Sequence, residues 1–220
     1  MRLDAILFDH DGTLVSSEQE HLKHWREAAE KYGGTISDEF YWENMLGVDA
    51  LTSAKLLIDL NGFDIIPEAF KQERLEHSMK FFQQSHFPQM EGADYILEKF
   101  ASEMPLALVS AAQRICLQST IRGHKWQDHF KCVVSYDDVI NTKPAPECYL
   151  TALDQLGVEA QYCVAIEDTE TGLTAATAAG IPTIAIRSEY SMSHDFSKAI
   201  TVVNSLREAA DWLDAVRAHS

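Results

Sequence analysis

Apolar residues in this chain follow two different rhythms. A run from Leu3 to Phe8 breaks at Asp9 and reads as a short buried strand. From about Val15 to Phe87 the spacing is helical throughout. Leu22, Trp25, Ala29 and Tyr32 predict a helix to about Lys31, stopped by Gly33-Gly34, and Ser17 and Glu20 have the spacing of a capping box at its start. Asp38 to Leu46 predicts a second helix. Ala50 to Leu60 predicts a third, with Leu51, Ala54 and Ile58 on one side, and a fourth opens at Pro67 and ends before Pro88.

Beyond Pro88 helices and strands alternate. Helices are expected at Gly92 to Ala101, Ala112 to His124, Pro146 to Leu156, Glu170 to Ala179 and Leu206 to Val216. Strands are expected at Leu106 to Ser110, Val133 to Ser135, Cys163 to Glu167, Pro182 to Ile186 and Ala199 to Val203. This alternation predicts an α/β fold, a Rossmann-like core with a parallel sheet covered on both faces. The first strand must join that sheet, so residues 15–87 are expected as an inserted all-helical cap domain, with residues 1–14 and 88–220 as the core.

The strand ends carry the candidate chemistry, because ligands of open parallel sheets bind at the carboxyl edge. Asp9 and Asp11 follow the first strand, with Gly12 and Thr13 next. Asp-Gly also marks plain turns. Ser110, followed by Ala111, ends the strand LALVS, where a hydroxyl and helix-start amides can receive an anion or simply cap a helix. Lys143 stands before a proline-started helix, as an exposed charge or as a cation reaching back to the edge. Glu167 and Asp168 end the strand YCVAIE. An acidic helix start explains one such pair but not two at equivalent ends. Carboxylates 4 Å apart repel by ~4 kcal/mol at an effective dielectric near 20, so the cluster Asp9, Asp11, Glu167 and Asp168 needs a cation. Oxygen ligands without a His or Cys set favour Mg²⁺.

Charge and cysteine use narrow the classes. Lys and Arg number 18 against 34 Asp and Glu, a net charge of −16, which argues against nucleic-acid binding by counterion release. The N-terminus lacks signal-peptide regions and no apolar run is long enough to span a membrane, so a cytoplasmic protein without membrane attachment is expected. Cys116, Cys132, Cys148 and Cys163 form no CxxC pair and are expected as reduced thiols. Nothing in the sequence sets the oligomeric state.

In order and spacing, FDHDGTL, LVS with Ser110, TKPAPECY with Lys143 and AIEDTETG with Glu167 and Asp168 resemble the four motifs of the haloacid dehalogenase superfamily. The helical insertion after the first motif looks like the cap of its β-phosphoglucomutase and small-molecule phosphatase branch. The resemblance implies Asp9 as nucleophile forming an aspartyl-phosphate, and Asp11 as acid and then base. It implies Mg²⁺ held by Asp9, the Asp11 carbonyl and Asp168 with Glu167 in support, and a phosphoryl group bound by Ser110 and Lys143. Thr13 and Ala111 join the expected substrate contacts. Dehalogenase and phosphonatase members lack an acid two residues after the nucleophile, so Asp11 points to oxygen esters.

The expected activity is a Mg²⁺-dependent phosphatase of small phosphorylated metabolites. His21 and Trp25 match a His and a Trp of the mutase linker, which keeps a phosphosugar mutase open and makes His21 a candidate substrate contact as well as a solvated helix histidine. Ala50 replaces the mutase's phosphate-gripping arginine, and Ser16 replaces the Asp of the common LVDSE. A non-catalytic protein binding phosphate ligands or a partner is the third reading.

Overall fold

The computed structural model describes residues 2–46 and 48–218; Met1, Gly47, His219 and Ser220 lie outside the described set. In chain order come β1 (Ala5–Phe8), α1 (Glu18–Glu30), α2 (Asp38–Asn44), α3 (Ala50–Asn61), α4 (Pro67–Gln84) and α5 (Ala93–Ala101). Then follow β2 (Leu106–Val109), α6 (Arg114–Gly123), β3 (Phe130–Val134), α7 (Glu147–Leu156), β4 (Cys163–Glu167), α8 (Glu170–Ala178), β5 (Thr183–Ile186), β6 (Thr201–Val203) and α9 (Leu206–Ala218). By contacts the chain forms two compact units, Met1–Ser16 with Pro88–Ser220, and Ser17–Phe87.

The first unit is built on a six-stranded sheet of order β3-β2-β1-β4-β5-β6. Every pairing is parallel. The α/β Rossmann-like class expected from the alternation is therefore what the chain adopts. The chain builds outward from β1 on one side and then crosses to the other, so the order reverses between β1 and β4. Ligands of such sheets bind at that reversal, outside the carboxyl ends of the strands. Side chains of a strand alternate between faces. Ala5 and Leu7, Ala107 and Val109, Cys132 and Val134, and Cys163 and Ala165 share one buried cluster with Tyr149, Ala152 and Leu153 of α7 and Ala175 and Ala176 of α8. Helices α5 and α9 pack on each other and on β2, β5 and β6. All four cysteines are free and buried, as expected of reduced thiols.

Where the chain leaves this unit and returns, residues 14–16 run beside residues 88–90. Ser16 N donates to Pro88 O at 2.8 Å and Met90 N to Leu14 O at 2.8 Å. No helix among the described residues is long and apolar enough to cross a membrane.

The second unit is helical, α1 to α4. Leu22, Trp25, Ala28 and Ala29 of α1 pack with Ala54 and Leu57 of α3 and Phe70 of α4. The Phe70 ring lies 5.8 Å from that of Trp25, 5.9 Å from Tyr32 and 5.4 Å from Phe63. Asp49 caps α3 by accepting from Leu51 N and Thr52 N at 3.0 and 3.1 Å, and Gly62 ends it at φ 69°.

The capping box expected at Ser17 and Glu20 does not form. Ser17 has helical backbone angles, φ −100° and ψ −22°, instead of the extended ones that aim a cap side chain at the helix amides, and its hydroxyl is buried without a hydrogen-bond partner. Glu20 turns instead toward Lys23 and His24, at 3.3 and 3.9 Å.

His24 is buried, its Nδ1 3.0 Å from the Ser78 hydroxyl. Burial, reinforced by Arg74, pulls its pKa from 6.5 to about 3. The folded protein thus keeps this imidazole neutral where the unfolded chain protonates it. Its neutral burial costs nothing above pH 6.5, and stability falls as the pH drops from there toward 3. Between pH 7.5 and 5.5 the wild type should lose about 1 kcal/mol more stability in urea denaturation than His24→Gln. Equal losses in the two proteins would contradict a neutral buried His24.

Candidate active site

The carboxyl ends of β1, β2 and β4 and the segment before α7 bring the expected residues to one place. Asp9 N donates to Ile166 O at 3.0 Å, which extends the β1–β4 pairing by one residue and sets Asp9 beside Glu167. The chain then reverses sharply. Gly12, at φ 79°, donates to Val15 O at 2.8 Å, and the His10 carbonyl accepts from Leu14 N and Val15 N at 2.9 and 3.0 Å. The turn that Asp-Gly signals is real, and it is the same element that presents both aspartates.

Lys143 is the hub. Its side chain, only 6% exposed, donates to Asp9 Oδ1 at 2.5 Å, Glu167 Oε1 at 2.7 Å and the Val109 carbonyl at 3.0 Å. The reading of Lys143 as a solvated surface charge is thereby overturned: the proline-started segment turns it inward to two buried acids. Burial pulls the ammonium's pKa down, but Asp9 and Glu167 outweigh it and the net shift is upward. Tyr149 of α7 donates its hydroxyl to the same Glu167 oxygen at 2.5 Å. Glu167 is pushed up to about 7, by burial first and by Asp9 next. The Asp9 carboxyl is also raised, by burial ahead of the opposing Lys143 and the reinforcing Asp11.

Asp9, Glu167 and Asp168 each offer a carboxylate oxygen, all within 4.8 Å of one another and all from buried residues. The other Glu167 oxygen, Oε2, is buried with no hydrogen-bond partner. One lysine facing three buried carboxylates leaves negative charge uncompensated, and an orphaned oxygen in that cluster fits a hard divalent cation. Two glycines make the space. A Cβ on Gly172 would run into the Glu167 carboxylate, and one on Gly12 into that of Asp168. Thr169 caps α8 by accepting from Gly172 N at 3.1 Å.

Of the four acids expected at the metal, the Asp11 side chain is not in the cluster. Its Oδ2 lies 3.0 Å from His10 Nδ1 and 3.5 Å from the Ser110 hydroxyl. Ser110 does not cap α6, which begins four residues later with Gln113 at its N-cap, but Ser110 Oγ accepts from Ala112 N at 2.9 Å. Ala111 is exposed at that strand end. Thr13 aims its hydroxyl at Asp168 Oδ1, 3.4 Å away.

His21 belongs to the helical unit. The solvated histidine of the sequence reading is corrected: the ring is half-buried, with Nδ1 2.6 Å from an Arg74 nitrogen and an edge-on contact to Phe87 at 5.1 Å. Sequence reasoning missed Tyr149, His10 and Arg74, the partners of Glu167, Asp11 and His21. His10 between two aspartates was the one visible signal; the others are single residues on helices with no local pattern.

An acid cluster with a buried lysine at the switch point of a doubly wound sheet defines a class of α/β enzyme. A profile described as haloacid dehalogenase-like hydrolase matches residues 6–186, and the chain belongs to that family. It is 27% identical to the fructose-1-phosphate phosphatase YqaB of Escherichia coli (strain K12) over 191 residues, 84% of this chain and 97% of that protein. It is 30% identical to the phosphorylated carbohydrates phosphatase of Thermotoga maritima over 184 residues, 83% of this chain and 84% of the relative. Its fold resembles that of CbbY from Rhodobacter sphaeroides solved with phosphate, at a TM-score of 0.80 and 24% identity, covering 92% of this chain and 94% of that one.

Replacing Lys143 by Met leaves Asp9 and Glu167 buried without their cation. In EDTA at pH 8 the Lys143→Met variant should lose about 3 kcal/mol in urea denaturation, the cost of breaking a buried pair. Because the stranded acids take up protons more readily in the folded than in the unfolded chain, the loss should shrink toward pH 5. A loss that is small at pH 8, or equal at both pH values, would contradict the role given to this lysine.

Proposed function

We propose that this enzyme is a Mg²⁺-dependent phosphoric monoester hydrolase that acts on small phosphorylated metabolites, sugar phosphates foremost, through an aspartyl-phosphate. The observation that carries the reading is the pairing of a buried, lysine-bridged Asp9, Glu167 and Asp168 cluster with a second acid, Asp11, that is held apart from it. The names of the two phosphatase relatives supply the substrate class.

In this reading the Asp9 carboxylate attacks phosphorus, the ester P–O bond breaks, and Asp11 gives its proton to the departing alkoxide. Asp11 then takes a proton from water, the water oxygen attacks the phosphorus of the acyl phosphate, and inorganic phosphate leaves with Asp9 restored. Lys143 and Ser110 hold the phosphoryl oxygens, where their charge and hydroxyl offset the negative charge that spreads in the transition state. Asp9, Asp168 and the Asp11 carbonyl, with Glu167 behind them, would hold Mg²⁺, which supplies Lewis-acid neutralisation of the same oxygens. The helical unit Ser17–Phe87 serves as the cap, with His21 a substrate contact within it.

Phosphate release from a panel of small monoesters, with and without Mg²⁺, tests the reading; fructose 1-phosphate, glucose 6-phosphate and β-glucose 1-phosphate belong in it. Release from several sugar phosphates, lost in EDTA, is expected, and Asp9→Asn should lower kcat by ~10⁴-fold or more while the protein stays folded. Conversion of β-glucose 1-phosphate to glucose 6-phosphate without release would make the enzyme a mutase. Turnover by Asp9→Asn near the wild-type rate would sink the covalent mechanism.

A further inference from the structure

His10 stands between the two aspartates and is fully buried, 0% exposed. Both ring nitrogens are engaged: Nδ1 lies 3.0 Å from Asp11 Oδ2, and Nε2 lies 3.0 Å from the hydroxyl of Thr120, itself fully buried in α6. An apolar side chain would occupy such a position without the desolvation cost that an imidazole carries. The bonding pattern says what the imidazole does there. A carboxylate only accepts, so Nδ1–H donates to Asp11; in the neutral ring Nε2 is then an acceptor, matched by the hydroxyl hydrogen of Thr120. Thr120 thereby fixes the tautomer that Asp11 needs.

We infer that His10, held by Thr120, is a positioning residue for Asp11: its bond to Oδ2 fixes the orientation of the carboxyl that exchanges a proton with the leaving group and then with water. The inference rests on the phosphatase reading and deepens it. Ser110, at 3.5 Å from the same Oδ2, is the weaker second tether. Position 10 is adjacent to both acids in sequence, yet the Asp9 Oδ1 contact is to Lys143, so the imidazole and the ammonium each serve one aspartate.

A misplaced general acid penalises an ester in proportion to its leaving group's need for a proton. An alkoxide needs one and p-nitrophenolate does not. The experiment compares kcat/KM of the Mg²⁺-loaded enzyme on p-nitrophenyl phosphate and on the sugar phosphate it hydrolyses fastest, for the wild type, His10→Phe, His10→Asn and Thr120→Val. His10→Phe should lower kcat/KM about 10²-fold on the sugar phosphate, the low end for general acid catalysis, and by only a few-fold on the aryl ester. His10→Asn, whose amide can donate from near the Nδ1 position, should recover most of the loss. Thr120→Val, which leaves the ring in place, should show the same leaving-group bias in smaller degree.

If His10→Phe does not fold, the Thr120→Val and His10→Asn ratios decide. Equal losses on both esters in every folded variant, or no loss at all, would make His10 a packing residue and overturn the inference while leaving the phosphatase reading intact. Silence of the wild type on both esters would overturn the two together.

Discussion

The site depends on one ammonium. Lys143 holds Asp9 and Glu167 in a place where burial alone would strip both of their charge. Removing two carboxylates from water costs several kcal/mol each, and only a close cation with further hydrogen bonds offsets it. The surroundings supply those bonds. The Val109 carbonyl, ending β2, accepts from the lysine, and Tyr149, on the helix that follows it, donates to Glu167. Parallel strands with the order reversing at β1 are what allow three strand ends and one loop to meet there. The small residues serve the same end, because side chains at Gly12 or Gly172 would displace the acids.

Two aspartates two residues apart acquire different environments from this arrangement. Asp9 faces the lysine and the other buried acids; Asp11, with its side chain 24% exposed, faces His10 and Ser110. Different surroundings are how one active site keeps two carboxylates for two tasks. The extended chain at Asp9 and the tight reversal at Gly12 turn the side chains to different partners, so the backbone does the sorting. The charge left over among Asp9, Glu167 and Asp168 is then what a divalent cation would offset.

Much of the fold was legible because the signals were strong and local. Buried strands such as Leu106 to Val109 and Cys163 to Glu167 are continuous apolar runs ended by polar residues, and each lies where the pattern put it. The acids and Ser110 were legible because they stand at those strand ends. Boundaries were less so. Strand β3 starts at Phe130 instead of Val133, because pairing with β2 recruits residues whose own pattern is mixed. The start of α6 shifts from Ala112 to Arg114, since Ala112 N is drawn to the Ser110 hydroxyl. The Ser17 cap failed because its backbone stays helical, which spacing cannot reveal. Tyr149, in the first turn of α7, and Thr120, within α6, stand on helices, where a hydroxyl that holds another side chain and a packing one look alike in sequence.

The covalent step is the central claim, and it can be read directly. Acid-quenched turnover of a sugar phosphate, followed by borohydride reduction and peptide mass mapping, converts an aspartyl-phosphate to homoserine at the modified position. The account predicts homoserine at position 9 alone, formed only with substrate and Mg²⁺ present. Unmodified Asp9 in an enzyme that is turning over, or homoserine at Asp11 or Asp168 instead, would contradict it.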